Sequence, residues 1–159
     1  MNGYSFFAPT KVLFGAGKLG ELGAQKLPGT KALIVTTGGN SVKRFGYLGR
    51  LEAELDRAGV SHELFDRIEP NPLRETVNAG GWMARTHGCD FVLALGGGSV
   101  MDTAKAIGII INNPEFADVR SLEGVAPTKQ HAVFTIAVPT TAGTAAETNL
   151  RFFSTSVMT

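Results

Sequence analysis

The chain has 159 residues and a formal net charge of +1, with 43% hydrophobic and 18% charged residues. This balance is typical of globular proteins and excludes an intrinsically disordered chain. The near-neutral charge gives no electrostatic reason to expect a nucleic-acid or membrane-surface partner. The length predicts one domain, residues 1–159, with a substantial hydrophobic core.

The single cysteine, Cys89, excludes an internal disulfide and is compatible with a reducing compartment. The N-terminal residues lack the basic and then apolar pattern of a signal peptide, and no apolar run reaches membrane-spanning length. We therefore expect a soluble, cytoplasmic protein. Because Cys89 directly precedes a predicted buried strand, we expect its thiol to be unreactive.

The first half of the chain contains three predicted strands and two predicted helices. The strands are Lys11–Phe14, Lys31–Thr36 and His62–Phe65, and the helices are Lys18–Lys26 and Gly46–Ala58. Lys31–Thr36 is almost wholly apolar, which is typical of a strand buried on both faces. In the second helix the leucines recur at helical spacing, and Gly59 is a suitable residue to end it.

The second half continues the alternation of helices and strands. The helices are Leu73–Thr86 and Val100–Gly108, and the strands are Phe91–Leu95 and Ala132–Val138. Pro114–Gln130 is polar and irregular, and we expect a surface segment with a single helical turn. The alternation predicts an α/β fold, a doubly wound and mostly parallel sheet covered on both faces. Lys31–Thr36, Phe91–Leu95 and Ala132–Val138 are expected to be its central strands.

The most informative segment follows the strand Phe91–Leu95. Three glycines, Gly96, Gly97 and Gly98, separate that strand from a helix, and Ser99 stands where the helix N-cap is expected. Glycines allow backbone N–H groups to approach a ligand closely, and the N-terminus of a helix favours an anion such as a phosphate. The segment therefore predicts a nucleotide or phosphorylated cofactor. It is not a Walker A loop, since no Gly-Lys-Ser/Thr follows at the required spacing.

Two other loops are expected to border the same crevice, since ligands of parallel sheets bind beyond the carboxyl ends of the strands. One is Gly38-Gly39-Asn40, and the other runs from Pro139 to Thr144. The hydroxyl groups of Thr140, Thr141 and Thr144 either meet the ribose or adenine of the cofactor or only bond the backbone of their own loop.

A literal Gly-x-Gly-x-x-Gly pattern occurs earlier, at Gly15–Gly20. The dinucleotide fingerprint also needs an acid at the end of the next strand to bind the ribose, and the strand that ends at Thr36 has none. We therefore interpret Gly15–Gly20 as a tight turn and not as a cofactor site.

The sequence offers little support for acid–base or metal chemistry. His62, His87 and His131 are scattered and lack any metal-ligand spacing. Asp102, in the first turns of the predicted helix, either complements the helix dipole or bonds a cofactor group. Asp66 and Glu69 are interpreted as loop carboxylates. Lys43 and Arg44 are either ordinary surface charges or partners of an additional cofactor phosphate.

Three segments carry a resemblance to a known family. They are GGGSVMDTAKAIG (Gly96–Gly108), IEPNP (Ile68–Pro72) and VPTTAGTAAE (Val138–Glu147). In this order they resemble the iron-containing (group III) alcohol dehydrogenases, and the likeness extends from Phe6 to about Asn149. Glycerol dehydrogenases and dehydroquinate synthases share a similar fold but are less like these segments.

The resemblance implies the Rossmann-like NAD(P)-binding domain of the iron-containing alcohol dehydrogenase and dehydroquinate synthase-like fold. On matching positions, Gly97, Gly98 and Ser99 would hold the pyrophosphate, and Asp102 would face the nicotinamide end. The implied cofactor-binding residues are Thr37, Gly38, Gly39, Asn40, Gly96, Gly97, Gly98, Ser99, Asp102, Thr140, Thr141 and Thr144. The three threonines after the last strand would contact the adenosine and ribose side.

The turn after Thr36 also bears on the choice between NAD and NADP. NAD-preferring relatives often have an acid after the threonine of this turn, whereas here Thr37 is followed by Gly38-Gly39-Asn40-Ser41. This turn is similar to that of the NADP-using branch, in which a ribose 2′-phosphate removes the need for an acid. We therefore expect NADP to be favoured over NAD.

Family members also have a helical C-terminal domain that carries iron or zinc on one Asp and three His. No part of residues 1–159 aligns with that domain, so the sequence is expected to be truncated relative to the family and to hold no catalytic metal. Three functions remain open. One is an NAD(P)-dependent alcohol dehydrogenase or aldehyde reductase that acts on a small alcohol or aldehyde, as a homo-oligomer and most simply a dimer. The second is a nucleotide-binding module without catalytic activity of its own. The third is an interaction protein in which the glycine turn binds no nucleotide.

Overall fold

A single parallel sheet of four strands organises the described part of the chain. The computed structural model describes residues 10–116, 118–122 and 128–147. The strands are β1 (Lys31–Thr37), β2 (Ser61–Ile68), β3 (Phe91–Gly96) and β4 (Thr135–Pro139), and their order is β2-β1-β3-β4. All neighbouring strands are parallel.

The helices connect these strands. They are α1 (Ser41–Arg44), α2 (Tyr47–Arg57), α3 (Arg74–Thr86) and α4 (Gly98–Asn112). Three 3-10 segments, Lys18–Ala24, Pro114–Phe116 and Val119–Leu122, accompany them. The chain moves from β1 to β2 in one direction and then crosses β1 to reach β3. Because crossovers are right-handed, this reversal places α2 on one face of the sheet and both α3 and α4 on the other.

Alternating side chains of the strands form a hydrophobic core on each face. On β1, Ala32 and Ile34 belong to the cluster with the buried leucines of α2, and Leu33 and Val35 belong to the cluster with α3 and α4. Every residue of β3 is buried, as expected for a strand covered on both sides. The predicted α/β fold with a doubly wound parallel sheet is thus confirmed.

Two predicted helix ends are confirmed in their details. Gly59 and Gly88 follow α2 and α3 in the left-handed conformation, with φ of +69° and +67°. The N–H of Val60 donates to the carbonyl of Leu55, and that of Gly59 to the carbonyl of Asp56. This double closure is a Schellman motif, which satisfies carbonyl groups that the end of a helix leaves free.

Two predictions near the N-terminus are wrong. Lys11–Phe14 is not a strand in the structure, because it forms no ladder with any other described residue, and Phe14 is 93% exposed. The predicted helix Lys18–Lys26 is a 3-10 helix and spans only Lys18–Ala24. A contact with α2 stabilises it, since Gly23 N–H donates to the buried carboxylate of Glu54.

The last strand and the glycine-rich turn also differ from expectation. Ala132–Val138 is a strand only from Thr135, and β4 lies at the edge of the described sheet and not at its centre. Ser99 is not the N-cap of α4: the helix begins at Gly98, and Gly97 caps it. The helix also continues four residues past Gly108, because its buried face still has an apolar partner in the core.

Part of the predicted surface segment Pro114–Gln130 lies outside the described residues, namely 117 and 123–127. The remainder contains two 3-10 turns where one helical turn was predicted. Residues 1–9 and 148–159 also lie outside the description.

Asp90 joins the amino ends of β1 and β3, and this contact predicts an acid-sensitive variant. Its carboxylate accepts hydrogen bonds from Thr30 N–H at 2.8 Å, the Thr30 hydroxyl at 3.0 Å and Lys31 N–H at 2.9 Å. Burial opposes ionisation, but these bonds outweigh it and lower the pKa of Asp90 below its ordinary value. A lowered pKa stabilises the fold above the unfolded-state value and loses that effect as the pH falls through the folded-state value.

We expect Asp90→Ala to lower the free energy of unfolding at pH 7 by about 1–2 kcal/mol, since three donors lose their partner. The difference from wild type should shrink as the pH falls below the unfolded-state pKa of an aspartate, about 3.9, and through the lowered folded-state pKa of Asp90. Urea denaturation at pH 7 and pH 3 tests this. An equal difference at both pH values would contradict the assigned role.

Candidate functional site

Three loops meet at the carboxyl edge of the sheet. They follow the adjacent strands β1, β3 and β4, and all three strands point the same way. The chain reverses its direction of winding between β1 and β3, so the site lies at a topological switch point, where open α/β sheets bind ligands. The structure therefore brings the predicted loops of the site together.

The turn from β3 to α4 consists of glycines, so no side chain covers its backbone. β3 ends at Gly96, and Gly97 has an extended backbone with φ of −91° and ψ of −166°. The carbonyl of Gly97 accepts the first helical bond, from Met101 N–H at 3.1 Å. The N–H groups at the start of this 15-residue helix therefore have no partner within the helix, which is the arrangement that favours an anion.

The loop from Pro139 to Thr144, called the threonine loop below, packs against this turn. Thr140 N–H donates to the Gly96 carbonyl at 3.0 Å. A Cβ on Gly97 would lie 3.1 Å from Thr141 Oγ1, and a Cβ on Gly98 would lie 3.1 Å from Thr144 Cγ2. Side chains at these two positions would therefore fill the gap between the two loops, and the facing threonines would have to move by a few tenths of an ångström. The predicted grouping of these residues agrees with the geometry.

The threonines of this loop differ in their surroundings. Thr144 Oγ1 accepts a hydrogen bond from Ala146 N–H at 3.4 Å, which is the local backbone bonding considered as an alternative to a ligand contact. The side chains of Thr140 and Thr141 are exposed at the edge of the sheet. A fourth threonine, Thr36, is fully buried and donates from its hydroxyl to the Leu95 carbonyl at 2.7 Å. This bond joins β1 to β3 beside the switch point, and a polar residue that ends an apolar strand is the signal that could have revealed it.

The turn after β1 carries a charged pair that the sequence interpretation missed. Thr37 is half-buried, and Gly38, Gly39 and Asn40 are exposed. Asp66 lies in β2 and not in a loop, and its carboxylate is 2.6 Å from Lys43 Nζ. The hydrogen bond from Lys43 lowers the pKa of Asp66 below its ordinary value. Lys43 is therefore more than a solvated surface charge.

Asp102 lies one turn into α4, with 9% of its surface exposed. Its Oδ1 accepts from Lys105 Nζ at 3.1 Å, and both side chains are largely buried. A buried carboxylate needs such compensation. The pair lies on the helix that the turn at Gly97 begins.

The histidines lie at different places. His62 is 3.9 Å from Glu52 and 4.0 Å from Asp56, His87 is 3.1 Å from Glu63, and His131 is exposed before β4. Within residues 10–116, 118–122 and 128–147, no three His, Cys, Asp or Glu side chains form a group that could hold a metal ion.

Two further sequence interpretations concern residues away from the site. Burial raises the pKa of the Cys89 thiol to about 11, which agrees with the expectation that it is unreactive. Gly15–Gly17 forms a tight turn with Gly17 in the left-handed conformation, the 3-10 helix begins at Lys18, and the Gly20 carbonyl accepts from Arg57 at the end of α2. Among the described helices, none combines the length and apolar character needed to cross a membrane.

Comparison with known proteins adds to this geometry. Residues 9–156 match the family described as "Iron-containing alcohol dehydrogenase". The chain is 45% identical over 144 residues to the lactaldehyde reductase of Escherichia coli K12, covering 89% of this chain and 37% of that protein. It is 38% identical to the NADPH-dependent butanol dehydrogenase of Clostridium saccharobutylicum, covering 89% and 36%.

Among solved structures, it resembles the NADH-dependent butanol dehydrogenase A of Thermotoga maritima. The TM-score is 0.76 and the identity 26%, with 88% of this chain and 35% of that chain covered. The chain thus spans little more than a third of the length of these relatives.

Proposed function

Because this chain belongs to the iron-containing alcohol dehydrogenase family, we propose that it binds a nicotinamide dinucleotide at the carboxyl edge of its sheet. The observation that carries the proposal is the turn at Gly97 and Gly98. It presents the free N–H groups of α4, and the threonine loop faces it closely enough that a single Cβ would reach the facing side chains.

The proposed contacts follow the position of each loop. The N–H groups of Gly97, Gly98 and Ser99 hold the pyrophosphate, and Thr140, Thr141 and Thr144 contact the adenosine and ribose side. The turn from Thr37 to Asn40 lies beside the adenine ribose, and Asp102 lies toward the nicotinamide. Gly96 ends the strand without a side chain, because a Cβ there would lie 2.6 Å from Val100 Cγ2.

We propose that the protein containing this chain is an NAD(P)-dependent alcohol dehydrogenase or aldehyde reductase. When bound, the nicotinamide supplies or accepts the hydride, while the protein binds and orients it. The relatives include a lactaldehyde reductase and butanol dehydrogenases, which supports a small alcohol or aldehyde as the substrate. The family name implies iron, and in the part of the chain that the structure describes no three His, Cys, Asp or Glu side chains are grouped as metal ligands.

The alternative is a nucleotide-binding module without turnover. It rests on the same turn at Gly97 and Gly98, which accounts for binding of a dinucleotide and not by itself for hydride transfer. The two functions differ in one measurement, NADPH oxidation with an aldehyde such as butanal, with and without added Fe²⁺ or Zn²⁺. Aldehyde-dependent oxidation supports the enzyme, and cofactor binding without oxidation supports the module.

We propose that NADPH binds more tightly than NADH. No residue of the turn itself is acidic, and two cations, Lys43 and Arg44, follow it on α1. The relatives include an NADPH-dependent and an NADH-dependent butanol dehydrogenase, so membership of the family does not decide the preference. We expect a dissociation constant at least about threefold lower for NADPH than for NADH at low salt, with the ratio falling as salt screens the phosphate. Calorimetric titration tests this, and tighter binding of NADH would contradict it.

We also propose a cytoplasmic homodimer that binds neither nucleic acid nor membranes. The exposed apolar side chains of Val12, Leu13 and Phe14 support self-association, since such patches mark contact surfaces. Sedimentation of the wild type and of Phe14→Ser tests the assembly. A monomeric wild type would contradict it.

A further inference from the structure

The carboxylate of Asp66 on β2 lies beside the turn after β1. Phe65 belongs to the core cluster on the side of α3 and α4, and Asp66 is the next residue, so its side chain lies on the opposite face of the sheet. That face also carries α1, whose Val42 lies in the other core cluster, and there Asp66 meets Lys43. A β-bulge follows: Val35 pairs with Phe65 and Thr37 pairs with Ile68, so Asp66 and Arg67 both oppose Thr36, and Ile68 returns to the side of Phe65.

The ion pair borders the turn itself. A Cβ on Gly38 would lie 3.0 Å from the backbone carbonyl of Asp66, so this part of β2 packs directly against the glycine turn. Lys43 Nζ is 2.6 Å from Asp66 Oδ2, with 45% of the lysine side chain and 34% of the aspartate side chain exposed. An exposed pair of this kind is weak, so a stronger anion can replace the carboxylate at little cost.

We propose that the Lys43–Asp66 pair determines the cofactor preference, with Asp66 and a ribose 2′-phosphate competing for Lys43. This inference rests on the proposed binding of a nicotinamide dinucleotide beside the turn from Thr37 to Asn40. Without the phosphate, Asp66 holds the ammonium group. When the phosphate is present, the ammonium group of Lys43 pairs with the phosphate instead, because a charge near −2 attracts the lysine more strongly than a single carboxylate does. Asp66 then opposes NADPH binding, both as a competitor for the lysine and as a nearby negative charge.

The competition predicts opposite effects of two substitutions on one ratio. Lys43→Gln removes the phosphate partner, and we expect NADPH binding to weaken about tenfold while NADH binding changes less than about twofold. Asp66→Asn removes the competitor at nearly constant volume, and we expect NADPH binding to strengthen about threefold with NADH again unchanged. A merely structural ion pair would change the binding of both cofactors alike.

Lys31→Gln provides a matched control. It removes another lysine that is ion-paired with an acid on β2, since Lys31 Nζ is 2.9 Å from Glu63, but Lys31 lies at the start of β1 and not beside the turn. Its NADPH to NADH ratio should equal that of the wild type. Thermal unfolding of all variants by circular dichroism separates loss of the fold from loss of specificity.

The outcomes distinguish this inference from the proposed function. Calorimetric titration of the full chain with NADPH and NADH measures each dissociation constant. If the wild type binds neither cofactor, the proposed function fails and this inference fails with it. If the wild type binds both but Lys43→Gln and Asp66→Asn leave the ratio within twofold of wild type, or shift it in the same direction, only the inference is overturned.

Discussion

Gly97→Val is expected to abolish cofactor binding while leaving the fold intact. At φ of −91° the backbone of Gly97 suits any residue, so valine introduces no strain there. Its Cβ would lie 3.1 Å from Thr141 Oγ1, and the two methyl groups would extend further into the space above the N-terminus of α4. A phosphate could then no longer reach the backbone N–H groups, and we expect the dissociation constants for NADPH and NADH to rise by about a hundredfold or more.

Gly49→Val is the matched control for this substitution. Gly49 is exposed on α2, and a Cβ there meets nothing within 4 Å. The control should bind both cofactors as the wild type does, and circular dichroism should show folded protein for both variants. Equal binding by Gly97→Val and wild type would refute the assignment of the turn as the cofactor site.

The second large effect is on stability and concerns the contact between α3 and α4. A Cβ on Gly80 would lie 2.4 Å from Ile107 Cδ1 and 3.2 Å from Phe65 Cε1, and both of these side chains are buried. Gly80→Val would force α3 away from α4 or displace Ile107 within a filled core. We expect the free energy of unfolding to fall by about 3 kcal/mol, although valine favours a helix slightly more than glycine does.

A double-mutant cycle identifies the cause of this loss. Ile107→Ala creates a cavity and by itself should cost about 2–4 kcal/mol. If the valine clashes with Ile107, the double variant should lose clearly less than the sum of the two single losses, because the valine fills part of the cavity. Urea denaturation gives the four values. Strictly additive losses would show that Gly80 is not required for this contact, and Gly49→Val should again show no loss.

Much of the fold could be predicted from patterns that act over a few residues. Lys31–Thr36 and Phe91–Leu95 were recognisable because a strand buried on both faces is apolar throughout. The helix α2 was recognisable from its leucine spacing, and its end from Gly59, which adopts the left-handed conformation. Lys11–Phe14 shows the limit, since a strand exists only where a partner pairs with it.

The candidate site divides in the same way. The turn at Gly97 and Gly98 could be predicted, because a strand, glycines and a helix in this order determine a local anion site. The pairing of Asp66 with Lys43 could not, because it depends on how α1 packs beside β2, which brings together two residues that are 23 apart in the chain. Likewise, the position of Thr36 at the end of an apolar strand signals a buried hydroxyl, but it does not identify the partner, Leu95, which lies 59 residues further along the chain.

The sequence by itself determined the α/β alternation, the buried strands, the glycine turn and the family. These depend on short-range periodicity, on backbone conformations that favour glycine, and on motifs in a fixed order. Only the tertiary structure decided the order β2-β1-β3-β4, the edge position of β4 and the contact of the threonine loop with Gly97 and Gly98. It also placed Asp66 beside the turn at Gly38 and Gly39. These features depend on which distant segments meet, and that is set by packing both faces of the sheet at once.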